Sequence, residues 1–219
     1  MCLERLEERI AANTRYEFFW FPASDEAECK TLNPTDLPAD DASAELVVGT
    51  PPSAVPGAPR EPAERERVGW SARVIPSVRA RLFNEMEYAL PAEAGPGCFR
   101  AVRSRMLERH PEVQWPVEYR TLAADDAWLS PAYGRQAVTL SIHQDARLPF
   151  REFFEDIEAI FRDHAGRPHW GKIHTLTVGD LRTLYPQWDD FLAVRARLDP
   201  EGRFLNPHLR GLFGLDGSV

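Results

Sequence analysis

The chain has 219 residues, 43% of them hydrophobic and 27% charged, with a net charge of −8. That is enough for one substantial core, and the acidic balance argues against a nucleic-acid partner, which would need a basic footprint. No run approaches the roughly 18 uncharged apolar residues that span a bilayer, the charged N-terminus does not read as a secretory signal, and the scattered Cys2, Cys29 and Cys98 point to reduced thiols in a cytoplasmic protein.

In chain order, Leu3, Leu6 and Ile10 recur at helical spacing and predict a short helix over residues 2–12. The aromatic run from Arg15 to Pro22 reads as a strand stopped by proline, its Phe18, Phe19, Trp20 and Phe21 most simply core residues. Residues 1–33 thus form a helix and strand joining the sheet. Residues 34–66 carry seven prolines among Ala, Asp, Glu and Arg and read as a mobile linker. The main domain is residues 67–219. Within it, Arg81–Leu90 is a predicted strand ending at Pro91, and Pro96 opens a helix with Phe99, Val102 and Met106 on one face. Val113–Leu122 alternates, with Val113, Trp115, Val117 and Tyr119 towards the core and Gln114, Pro116, Glu118 and Arg120 away from it. Gln136–His143 alternates in the same way, with Val138, Leu140 and Ile142 inward and Thr139, Ser141 and His143 outward. Phe150–His164 is an amphipathic helix ended by Gly166, and Trp188–Leu198 is a further helix closed by the turn Asp199–Gly202. Strands mixed with helices without regular alternation indicate an α+β domain.

Three places can carry chemistry. Glu118 and Arg120, two apart on a strand, share a face and could hold a polyol and steady an alkoxide; alone, the pattern also suits a solvent-facing ion pair. Arg167–His174 packs His169, Trp170, Gly171, Lys172 and His174 together; a polar turn is the plain alternative, and the spacing of the histidines does not suit a metal. Lys172 stands out because only two of the 26 basic residues are lysines, Lys30 being the other. His143 ends a strand, where a hydrogen-bonded structural role is common. Asp125 and Asp126 read as turn residues, and Arg135 is available for an anion. No glycine-rich nucleotide loop, nucleophile elbow or HExxH motif is present.

Taken in order, the motifs Glu85–Pro91, Pro116–Arg120, Asp126–Arg135, His169–Lys172 and Leu198–Asn206 resemble the C-terminal region of the D-arabinono-1,4-lactone and L-gulono-1,4-lactone oxidases, flavoproteins of the vanillyl-alcohol-oxidase type. The resemblance implies an antiparallel sheet with helices packed on one face, as in the cap domain of those flavoproteins. It implies FAD as cofactor, held by an N-terminal domain that these residues do not include and that a separately encoded partner could supply. It implies hydride removal from a hydroxyl-bearing carbon to flavin N5, with Glu118, Arg120 and Lys172 catalytic. His143, His169 and His174 would then bind substrate, and Trp170 and Gly171 would lie against the cofactor. Any membrane contact would be peripheral. Two alternatives stay open: the same half of an alditol oxidase, and a non-catalytic polyol-binding remnant.

Overall fold

The computed structural model describes residues 3–39, 67–75 and 81–215. Its strands are β1 (Arg15–Phe21), β2 (Glu26–Leu32), β3 (Phe83–Pro91), β4 (Val117–Leu122), β5 (Ala137–Asp145) and β6 (Arg167–Pro168). They make one open antiparallel sheet in the order β2-β1-β4-β5-β3-β6. Its helices are α1 (Leu6–Ala12), α2 (Ser71–Val74), α3 (Gly95–Arg109), α4 (Arg151–Asp163), α5 (Val178–Leu184), α6 (Trp188–Leu198) and α7 (Pro207–Leu212). The α+β expectation holds. No helix among the described residues is long and apolar enough to cross a membrane.

The sheet has two unlike faces because its strands alternate. One face carries Phe18, Met86, Tyr88, Leu90, Tyr119, Leu140 and Ile142, all buried against α3 and α4 through Val102, Met106, Phe154, Ile157 and Phe161. Aromatic rings tie the layers together: Phe18 stacks on Tyr119 at 4.7 Å and meets Phe99 edge-on at 5.2 Å, while Tyr88 stacks on Phe161 at 5.1 Å. Burying such rings is worth about 2–3 kcal/mol each before any ring–ring geometry is counted. Helix α4 buries Phe153, Phe154, Ile157, Ile160 and Phe161, the stripe its spacing predicted.

Several boundaries move. The first helix spans Leu6–Ala12 rather than residues 2–12, with residues 1–2 outside the described part. The proline-rich segment is described only to residue 39, where it is exposed and irregular, and residues 40–66 lie outside the described part. Strand β2 was not predicted. Its sequence, EAECKTL, is polar and mostly exposed, and it forms because backbone pairing to β1 completes a hairpin. Strand β4 starts at Val117, not Val113, since Pro116 has no N–H to give a ladder. Trp115 therefore leaves the predicted face, and its ring packs against Phe83 (5.2 Å) and His143 (6.4 Å). Gly166 is not the left-handed residue that ends α4. Ala165 is, at φ 56°, while Gly166 is needed because a Cβ there would lie 2.7 Å from the Phe161 carbonyl oxygen and 2.9 Å from the Tyr88 ring. Helix α5 begins with a capping box between Thr177 and Asp180, and α7 is capped by Asn206.

The segment after α4 builds one wall of the polar sheet face. Arg167–Pro168 pairs with Tyr88 and Ala89, and the chain stays beside β3 as His169 N donates to Glu87 O (2.9 Å) and Ile173 N to Glu85 O (3.0 Å). On the helical side, the buried Glu158 accepts from Tyr88 Oη (2.5 Å), from the Thr175 amide (2.8 Å) and from the Thr175 hydroxyl. A buried carboxylate with three donors is stably placed. It pins the end of the segment that carries Lys172.

Candidate active site

The second face of the sheet is polar at its centre. Strand alternation puts Glu85 and Glu87 of β3, Glu118 and Arg120 of β4, and Thr139, Ser141 and His143 of β5 on it. The pairings Glu85↔His143, Glu87↔Ser141, Glu118↔Ser141 and Arg120↔Thr139 set them side by side. The 169–173 segment then lays Lys172 over the β3 carboxylates.

One network links these groups. Arg120 Nη2 lies 3.1 Å from both carboxylate oxygens of Glu87, and Arg120 Nε lies 3.4 Å from Glu118 Oε1. Lys172 Nζ pairs with Glu85 and stands 3.7 Å from Glu87. Glu87, only 4% exposed, is therefore the carboxylate shared by the guanidinium and the ammonium. His143 Nε2 faces Glu85 Oε1 at 3.4 Å, while its Nδ1 is 2.8 Å from the Pro116 carbonyl. A carbonyl and a carboxylate both only accept, so Nδ1 carries a hydrogen, and Nε2 holds the ionised Glu85 only by carrying a second one, which makes the ring an imidazolium.

Burial acts on these groups in different directions. It pushes Glu118 above the usual carboxylate range, against the opposing pull of the Arg120 guanidinium. Burial would also raise Glu85, but the imidazole of His143 and the ammonium of Lys172 outweigh it and hold the carboxyl down at about 2. The face thus combines a firmly ionised carboxylate with one whose charge is costly to keep.

The sequence-predicted residues divide into two sets. Glu118, Arg120, Lys172 and His143 meet in the network. His169 does not join it: its ring accepts from the Gly171 amide (3.0 Å) and shapes the turn. His174 has both ring nitrogens buried without a partner, burial lowers its pKa, and the charges acting on it are Glu158 and His208. Trp170 gives its N–H to the Leu129 carbonyl (2.8 Å) and packs its ring on Tyr185 (5.2 Å) and Trp188 (6.1 Å). Trp170 and Gly171 do line an open pocket of about 500 Å³ that also includes Phe83, Glu85, Lys172 and His208. Arg135 is spent on the backbone carbonyls of Ala89 (3.1 Å) and Ala165 (3.0 Å). Asp125 caps its own turn, accepting from Ala127 N and Ser130 Oγ. No cluster of metal-binding side chains occurs among the described residues.

Glu85 and Glu87 are site residues that the sequence patterns did not single out. The signal was there: two carboxylates at i and i+2 flank Met86, between positions that belong to the core, as Glu118 and Arg120 flank Tyr119.

The face also has unmet hydrogen-bonding capacity. Thr139 Oγ1, Ser141 Oγ and Arg120 Nε are buried and lack a hydrogen-bond partner. Buried polar groups without a partner are uncommon in a folded interior. Hydroxyl and guanidinium donors next to an ammonium suit both the hydroxyls of a sugar and the polar edge of a flavin ring.

Residues 53–212 match the family model described as D-arabinono-1,4-lactone oxidase. The chain is 37% identical, over 97% of its length, to an L-gulono-1,4-lactone dehydrogenase of Mycobacterium tuberculosis, of which it covers 54%. It is 33% identical to the L-gulonolactone oxidase of Mus musculus over 58% of its length and 30% of that protein. It is 37% identical to an alditol oxidase of Streptomyces over 68% of its length and 35% of that protein. The chain thus spans about half the length, or less, of the curated relatives it matches. With this family model matching residues 53–212, the chain belongs to the D-arabinono-1,4-lactone oxidase family.

Proposed function

We propose that the chain is the substrate-binding and catalytic half of an FAD-dependent sugar-lactone oxidoreductase that removes hydride from a hydroxyl-bearing carbon. The observation that carries this reading is the meeting of Glu118, Arg120 and Lys172 on one sheet face through Glu87.

FAD, when bound, supplies the two-electron acceptor, and Glu118 and Arg120 are the residues that would face its ring. The other tasks belong to this chain. Lys172 and Arg120 bind the reacting hydroxyl and stabilise negative charge on its oxygen as its proton passes to solvent water. Glu118 and Glu87 orient Arg120, and the Lys172 ammonium stands beside Glu87, so the oxygen meets both cations at once. Oxidation of an open alditol is a second reading, supported by the likeness to the Streptomyces alditol oxidase.

The test combines the chain with a flavin-bearing half and follows bleaching of the flavin by D-arabinono-1,4-lactone or xylitol. Lys172→Ala should slow reduction by about 100-fold, in the range for loss of one oxyanion-stabilising group, and leave flavin binding intact. Unchanged reduction would remove Lys172 from the mechanism. A xylitol rate above the lactone rate would favour the second reading.

A further inference from the structure

The buried imidazole of His143 takes no part in the hydride-transfer chemistry, yet it is aligned at both ends. Its Nδ1 is fixed by the Pro116 carbonyl at 2.8 Å, Phe83 meets the ring in a T-shaped contact at 5.3 Å, Trp115 lies tilted against it at 6.4 Å, and its Nε2 is aimed at Glu85 Oε1 at 3.4 Å. The other oxygen of Glu85 pairs with Lys172. Resting on the oxidoreductase reading, we propose that Glu85 is the positioning residue for the Lys172 ammonium, and that the Pro116 carbonyl and His143 act as its anchor.

The reason is mechanical. A lysine side chain has four freely rotating bonds, and all of them must be restrained for its tip to stay in one place. Lys172 sits in an irregular segment and keeps 25% exposure, so packing alone does not hold its tip. The nearer carboxylate is Glu85; Glu87 is farther away and already committed to Arg120. Glu85 in turn is 15% exposed and is held from behind by a ring that cannot rotate without losing its carbonyl partner. Backbone, imidazole, carboxylate and ammonium thus form a strut that places a flexible cation at one point of the site. A merely structural ion pair would not need the imidazole to be locked at its far nitrogen.

The composition gives a direct test. Lys30 and Lys172 are the only lysines, so the full chain grown on [13Cε]lysine yields two side-chain signals, assigned by Lys30→Arg. Glu85→Gln should lower the order parameter at Lys172 Cε by about a third and leave Lys30 unchanged. His143→Asn, whose amide can still reach the Pro116 carbonyl but not Glu85, should lower it in the same direction by less. Should Glu85→Gln fail to fold, Glu85→Asp, with its carboxylate withdrawn by one methylene, provides the same comparison. Combined with the flavin-bearing half, Glu85→Gln should reduce kcat by about tenfold or more while KM changes less, the pattern for lost orientation. An unaltered Lys172 order parameter, an equal loss of order at Lys30, or an effect confined to KM would overturn the positioning role alone. Absence of lactone- or alditol-dependent flavin reduction by the wild type would overturn the oxidoreductase reading and the positioning role with it.

Discussion

Glu85→Gln keeps the shape of the side chain and removes its titration, so it isolates what ionisation of this carboxyl contributes to stability. The carboxyl is held at about 2 in the folded chain against an ordinary value of 4.5. A depressed folded pKa contributes stability that is complete above the unfolded value and is lost as pH falls through the folded one. The difference corresponds to about 3 kcal/mol at neutral pH, an upper figure given that the side chain is 15% exposed. At pH 3 the same linkage leaves about 1.5 kcal/mol. Urea unfolding of both proteins should therefore give a gap of about 3 kcal/mol at pH 7 that narrows by about 1.5 kcal/mol at pH 3, the carboxyls away from this network titrating in both and cancelling. A gap of equal size at the two pH values would refute this linkage. It would show that the His143 and Lys172 contacts do not hold the charge on Glu85.

Further expectations rest on neighbouring contacts. Tyr88→Phe deletes the hydroxyl that donates to Glu158 at 2.5 Å and should cost about 1.5–3 kcal/mol in chemical denaturation, with faster amide exchange at Thr175. Gly166→Ala forces a methyl group against the Phe161 carbonyl and the Tyr88 ring and should destabilise by about 1–3 kcal/mol, read as a fall in Tm. Ala165→Gly relieves a left-handed alanine at φ 56° and should stabilise by about 0.5–1 kcal/mol in the same assay.

How much of the fold and the site was legible in the sequence depends on which physical signal each element carries. Two-residue alternation exposed β5 and the 117–120 part of β4, and with them the shared face of Glu118 and Arg120. Helical spacing exposed α3, α4 and α6. Strand β2 was illegible because its residues are polar on both sides, and only its partner shows it is a strand. Helix α5 left a readable cap, Thr177 with Asp180 three residues on, but is too short to show periodicity. The departure of Trp115 from its predicted face followed from Pro116, whose missing N–H could have been weighed. What no local pattern reveals is neighbourhood. That β3 lies beside β5, and that the chain after α4 runs along β3, brings Glu85 and Glu87 beneath Lys172 and beside Arg120, although those residues are far apart in the chain.

The division of labour between the two sheet faces leaves this site with little tolerance for length changes. Glu118 and Arg120 are separated from the aromatic interior by a single step of the backbone, with Tyr119 pointing the other way. One inserted residue near Val117 would swap them, sending a carboxylate and a guanidinium in among Phe18 and Phe99 and lifting the tyrosine out onto the polar face. Loops elsewhere in the molecule can lengthen without such an inversion, so insertions are tolerated there while the lengths of β3, β4 and β5 stay fixed.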